Sequence, residues 1–155
     1  MHDNARPARR SATWTAETKP ALYRDLAQEL DGLLTGESDA TANAANAAAA
    51  IFNSLPDLNW AGFYFLRGEE LVLGPFQGRP ACLRIAMGKG VCGSAAAQRK
   101  TFLVPDVEAF PGHIACDSAS RSELVVPLIA DGRVLGVLDL DSPSLARFDS
   151  ADQEG

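Results

Sequence analysis

The sequence has no apolar run approaching the eighteen or more residues that a membrane-spanning helix takes. Met1 to Thr15 lacks the apolar segment of a secretory signal. Basic residues are the minority: 14 Lys and Arg against 20 Asp and Glu give a net charge of −6 and an isoelectric point near 4.8. That balance excludes the broad positive footprint of nucleic-acid binding. The one basic cluster, Arg6, Arg9 and Arg10, lies in a polar stretch and reads as solvated. Cysteine is scarce and odd in number, at three, too few for a disulfide scaffold. Without a secretory signal, the expected location is the cytosol, where such thiols are catalytic, metal-binding or buried. What is present suits one globular domain: 155 residues, 46% hydrophobic and 22% charged, long enough to bury a core.

Residues 1–17 are polar and read as a disordered tail, leaving 18–155 as a single domain. Thr18-Lys19-Pro20 has the form of a helix start with Thr18 as N-cap, followed by Leu22, Leu26, Leu30 and Leu33 at near-helical spacing, and Gly36 stops it. A second helix starts near Asp39 and runs to Phe52. Its alanines predict close packing against something flat. From Asn59 the period becomes two, with Trp60, Gly62, Tyr64 and Leu66 on one face and Ala61, Phe63 and Phe65 on the other. Glu70 to Phe76 completes a hairpin. Short strands follow at Cys82 to Ala86 and Thr101 to Val104, around a short helix from Val91 to Gln98. Glu123 to Ala130 and Arg133 to Asp141 pair through Asp131-Gly132, which suits a type I′ turn. Ser150 to Gln153 has the form of a capping box. Helices followed by a largely antiparallel sheet of five or six strands make an α+β domain.

Gly88-Lys89-Gly90-Val91-Cys92-Gly93 fits the dinucleotide pattern GxGxxG, but a sheet of hairpins lacks the βαβ unit that the pattern needs, so a tight strand-to-helix turn is preferred. A zinc-stabilised module built on Cys82, Cys92, Cys116 and His113 has the ligand types but poor spacing. A reactive thiol is favoured at a helix N-terminus, which would make Cys92 the nucleophile; local sequence leaves the choice between it and Cys116 open. Asp139 and Asp141 lie on one strand face, a costly pair unless a cation or a shared proton compensates. A strict two-residue turn opposes Leu124 to Asp139 and turns Glu123 to the other face. A bulge, for which Pro127 is a candidate mark, would bring Glu123 round. Gly112-His113-Ile114-Ala115-Cys116-Asp117 has neither period and reads as a loop carrying reactive groups.

These segments resemble the free methionine-(R)-sulfoxide reductases, a catalytic GAF-domain family. The resemblance runs from Leu22 to the C-terminus. It is carried by Asn59-Trp60-Ala61-Gly62-Phe63-Tyr64, Leu73-Gly74-Pro75-Phe76-Gln77-Gly78, Gly90-Val91-Cys92-Gly93, the Gly112–Asp117 loop and Gly136-Val137-Leu138-Asp139-Leu140-Asp141-Ser142. It implies a central antiparallel sheet of about six strands, with N-terminal helices on one face and a loop and short-helix pocket on the other. It also implies that Cys116 attacks, Cys82 resolves and Cys92 is auxiliary, with Glu123, Asp139 and Asp141 around the substrate and Trp60 and Tyr64 lining the pocket. The implied reaction reduces free L-methionine (R)-S-oxide without a bound cofactor or metal. Thioredoxin is the implied external reductant and a homodimer the implied assembly. A GAF-type sensor that binds a small molecule without chemistry is the alternative. The family's C-terminal helix begins at the last residues of this sequence, from which low stability is expected.

Overall fold

The computed structural model describes residues 13–155. The first twelve residues of the expected tail lie outside that range. Within it, Trp14 packs edge-on against Tyr23, ring centroids 5.1 Å apart.

Helix α1 spans Lys19–Leu34 and α2 spans Ala40–Ser54. Thr18 stands at the first N-cap position but does not cap: its hydroxyl donates to the Thr13 carbonyl. The buried face of α1 is Lys19, Tyr23 and Leu26 with Leu30 beside them, and Leu33 of the expected stripe is exposed. Asp39 does cap α2, accepting from the Ala42 amide at 2.8 Å. Ala44, Ala47, Ala48 and Ile51 form the inner stripe of α2, where small side chains let the helix lie close on the sheet beneath.

The sheet is formed by β1 (Trp60–Arg67), β2 (Glu70–Gly78), β3 (Arg84–Ala86), β4 (Phe102–Val104), β5 (Ser122–Ala130) and β6 (Arg133–Ser142). All pairings are antiparallel, in the order β3-β2-β1-β6-β5-β4. Cys82 lies before β3 rather than in it. Helix α3 (Gly90–Gln98) lies between β3 and β4 in sequence and packs on the opposite face from α1 and α2. The Gly88–Gly93 segment is the tight turn into it: Gly88 and Gly90 have positive φ, and a Cβ on Gly93 would meet the Ala86 carbonyl oxygen at 2.4 Å.

The period-two alternation of β1 separates two cores. Ala61 and Phe63 point to the helices with Leu124 and Leu140, whereas Trp60 and Tyr64 point to the α3 side with Val125 and Val137. The chain ends in α4 (Ser150–Glu154), whose capping box is built from Asp149 and Asp152, one residue upstream of the Ser150 cap expected from sequence. A carboxylate accepting amide bonds there also meets the positive helix end. Asp152 is buried, and its carboxylate gathers Lys19 Nζ at 2.6 Å, Tyr23 Oη at 2.7 Å and Arg147 at 3.4 Å, tying both ends of the domain together.

Candidate active site

The parity question in the last hairpin is answered by one residue. Ala130 pairs with Arg133 and Ile129 with Val134, as the two-residue turn demands, but Leu128 pairs with Gly136. Leu135 is therefore the extra residue of a bulge, and it is half exposed. The bulge lies on β6, not at Pro127, which pairs with Val137. Beyond it the register is shifted by one, so Leu124 opposes Leu140 rather than Asp139, and Glu123 opposes Asp141. Gly136 permits the close approach of β6 to β1, since a Cβ there would lie 2.0 Å from the Tyr64 carbonyl oxygen.

The shift gathers the three acids on the α3 face of the sheet, where they line one cavity. Glu123 and Asp139 are buried, and Asp141 is partly so. Burial raises the Glu123 carboxyl well above its ordinary range, and the charges of Asp139 and Asp141 raise it further. Burial also lifts Asp139 to about 6. Asp141 is raised by burial first, then by Asp139 and Asp117. The group is thus held short of full ionisation near neutrality, as a proton donor requires.

Cys92 lies at the start of α3, buried, with its thiol donating to Glu123 Oε1 at 3.8 Å. Burial, followed by the charges of Asp139 and Glu123, pushes that thiol up. The helix N-terminus that made Cys92 attractive as a nucleophile is outweighed by its dry, acidic surroundings. The donor atoms of Cys92, Glu123 and Asp139 lie within 4.8 Å of one another.

Cys82 and Cys116, far apart in sequence, are joined in a disulfide with Cα atoms 5.4 Å apart. Both therefore leave the zinc ligand set considered from sequence. Two aromatic side chains position the Cys82 segment: Tyr64 Oη donates to the Cys82 carbonyl at 2.9 Å and Trp60 Nε1 to the Arg79 carbonyl at 3.1 Å. Trp60 stacks with both Tyr64 and Phe76. Trp60 and Tyr64 both line the cavity, and their hydrogen bonds to the Cys82 segment had no signal in the sequence.

The Cys116 loop is tied down by Asn59, whose amide donates to Asp117 Oδ2 at 3.2 Å and Ser120 Oγ at 3.0 Å. Asn59 opens the sequence motif around Trp60, yet nothing in its local pattern pointed to this contact. His113 lines the cavity beside Ile114, with its imidazole pKa lowered by partial burial. Lys89, also unassigned from sequence, is the lysine on the rim, at the N-terminus of α3. In this disulfide-bonded state the cavity encloses about 40 Å³, far below the ~300–1,000 Å³ of small-molecule sites.

Residues 37–154 match the GAF domain family. The chain is 47% identical over 137 residues to the free methionine-R-sulfoxide reductase of Escherichia coli, covering 88% of this chain and 83% of that one. The chain belongs to the free methionine-R-sulfoxide reductase family of GAF-domain proteins. A Saccharomyces cerevisiae reductase of the same name is 44% identical, with 88% of this chain and 80% of that one covered. Among solved structures, the Neisseria meningitidis free methionine-R-sulfoxide reductase in complex with its substrate superposes with a TM-score of 0.84. It is 49% identical, and the match covers 92% of this chain and 86% of that one. Membership accounts for the six-stranded antiparallel sheet and the helices on one face. Among the described residues no helix is long and apolar enough to cross a membrane.

Proposed function

We propose that this protein reduces free L-methionine (R)-S-oxide to L-methionine, with Cys116 as nucleophile and Cys82 as resolving thiol. The observation that carries the reading is the Cys82–Cys116 disulfide, whose Cys116 lines the same cavity as Glu123, Asp139 and Asp141. Family membership supports the same substrate.

In the reduced protein the Cys116 thiolate attacks the sulfoxide sulfur. A carboxylic acid of the Glu123, Asp139 and Asp141 group, kept protonated by burial and like charge, donates to the sulfoxide oxygen. The oxygen passes to Cys116 as a sulfenic acid and methionine leaves. Cys82 then attacks the sulfenic sulfur, releasing water and forming the disulfide before further oxidation. A dithiol protein such as thioredoxin reduces that disulfide by exchange and closes the cycle.

The ionised acids suit the substrate ammonium, and Lys89 with the α3 amides suits its carboxylate. Trp60 offers a flat apolar surface to the methyl-sulfur end. Both ends of a free amino acid are thereby engaged, which disfavours peptide-bound residues. Cys92 serves as an auxiliary thiol. The protein works in the cytosol, where the reductant is found, and a homodimer is the proposed assembly.

The test supplies both free sulfoxide diastereomers with thioredoxin and measures the methionine released. Turnover of the R form alone, abolished by Cys116→Ser, is expected. Normal turnover in that variant would overturn the mechanism, and ligand-induced stabilisation without turnover would make the protein a sensor.

A further inference from the structure

We propose that Cys92, Glu123 and Asp139 form a binding site for a thiophilic divalent cation of the zinc class, complete even while Cys82 and Cys116 are disulfide-bonded. The three residues supply one sulfur and two carboxylate donors within 4.8 Å of one another. The Cys92 sulfur lies 3.8 Å from Glu123 Oε1. Two such ligands on one tetrahedral zinc, with bonds of about 2.3 and 2.0 Å, are separated by roughly 3.5 Å, so this pair needs only a small contraction and Asp139 closes in from within 4.8 Å.

A second observation points to a ligand. Asp139 is 6% exposed, and its Oδ1 has no hydrogen-bond partner. Among the described residues, no ion pair joins Glu123 or Asp139 to a basic side chain. A buried acceptor left unmatched beside a second carboxylate is costly; a shared proton offsets that cost while the group is protonated, and a cation takes its place once the group ionises.

The donors stand on α3, β5 and β6, three packed elements rather than the reactive loop, so they are held in place before an ion arrives. All three line the cavity, so an ion held by them could take a fourth ligand from its interior. Cys92 is free while the other two cysteines are bonded to each other, so the redox state of that pair does not remove a donor. An ion bound here displaces a proton from the Cys92 thiol and occupies the space assigned above to the substrate ammonium. On the function proposed above it therefore acts as an inhibitor. The binding site itself does not depend on that function.

The test uses the oxidised full chain, so that only Cys92 offers a thiol, and titrates it with cadmium and then zinc. Metal per chain is counted by equilibrium dialysis and elemental analysis, and sulfur ligation is read from the thiolate-to-cadmium absorption. One ion per chain with that absorption is expected. Cys92→Ser should lose the absorption, and Asp139→Asn should weaken binding about tenfold or more, a cost of about 1.4 kcal/mol. Circular dichroism verifies that the variants fold. If Cys92→Ser does not, Glu123→Gln takes its place and should retain the absorption at reduced affinity. Failure of the oxidised chain to take up an ion would overturn the proposal. So would uptake undiminished in Cys92→Ser, which places the ion elsewhere, or unchanged affinity in Glu123→Gln.

Discussion

Glu123 faces Asp141 directly across the β5–β6 ladder, with Asp139 on the same sheet face one alternation away. Three carboxyls crowd a buried surface because a single unpaired residue, Leu135, shifts the register. Their cost in stability and their use in chemistry have the same origin: each carboxyl is easier to protonate there than in water.

That origin gives stability a pH dependence of known sign. Asp139 titrates near 6 in the fold against 3.8 in the unfolded chain, so between those values the folded state holds more protons. Stability is greatest below about pH 4 on this account and falls as pH rises through 6, by on the order of 3 kcal/mol for Asp139 considered alone. The raised Glu123 and Asp141 carboxyls act in the same direction. Urea denaturation from pH 4 to pH 8 should show the decline, and Asp139→Asn should flatten it. A variant as pH-dependent as the parent protein would refute the assignment.

Gly136→Ala probes the close approach beside the bulge. The added carbon would meet the Tyr64 carbonyl oxygen at 2.0 Å, against backbone in a paired strand that has little room to yield. The expected loss is about 1–3 kcal/mol, measured by chemical denaturation, with reduced activity from displaced Asp139. Gly132→Ala, where nothing lies within 4 Å, should lose less, through its positive φ alone.

Asp152→Ala removes the shared partner of Lys19, Tyr23 and Arg147. Lys19 is left buried, with only the more exposed Asp149 at 3.1 Å. Breaking such a buried pair costs about 3–5 kcal/mol, seen as a lower denaturation midpoint. Lys19→Met in the same background should recover part of it, because the uncompensated charge is then gone.

Asn59→Ala frees the Cys116 loop from its two amide hydrogen bonds. Amide exchange across residues 113–120 should accelerate while the sheet is unchanged. Turnover number should fall by about tenfold, or 1.4 kcal/mol in the barrier, with a smaller effect on KM because Asn59 is not among the cavity-lining residues. Unchanged exchange in the loop would remove Asn59 as its anchor.

Cys82→Ser should release about one methionine per chain and then stall, since the remaining thiol, Cys92, is buried and has its pKa raised by the acids around it. Rapid-quench measurement of the first turnover distinguishes that from loss of attack. Sustained thioredoxin-dependent turnover would transfer the resolving role to Cys92.

Much of the architecture follows from local pattern. The alternation from Trp60 to Leu66 assigns side chains to two cores, the alanine stripe of α2 announces a close-packed helix, and Asp131-Gly132 marks the last hairpin. These features depend on residues near one another in the chain, where period and turn chemistry act directly. The α1 stripe was only partly legible, because which side of a helix is buried depends on what it meets. Here Asp152, near the far end of the chain, draws Lys19 and Tyr23 inward and leaves Leu33 outside.

The acids of the candidate site were visible as residues but not as a group. Strand parity alone turned Glu123 away, and only the pairing of β6 with both β1 and β5 decided that Leu135 would be left over. The cysteines show the same division. Their number and the loop around Cys116 were plain in the sequence, as was the family they resemble. That Cys82 reaches Cys116, and that Cys92 is instead enclosed with Glu123 and Asp139, was decided by packing between segments far apart in the chain. The physical reason is that period and turn preference are short-range properties, whereas register, burial and the charge a buried carboxyl carries are set by whatever the rest of the fold places beside it.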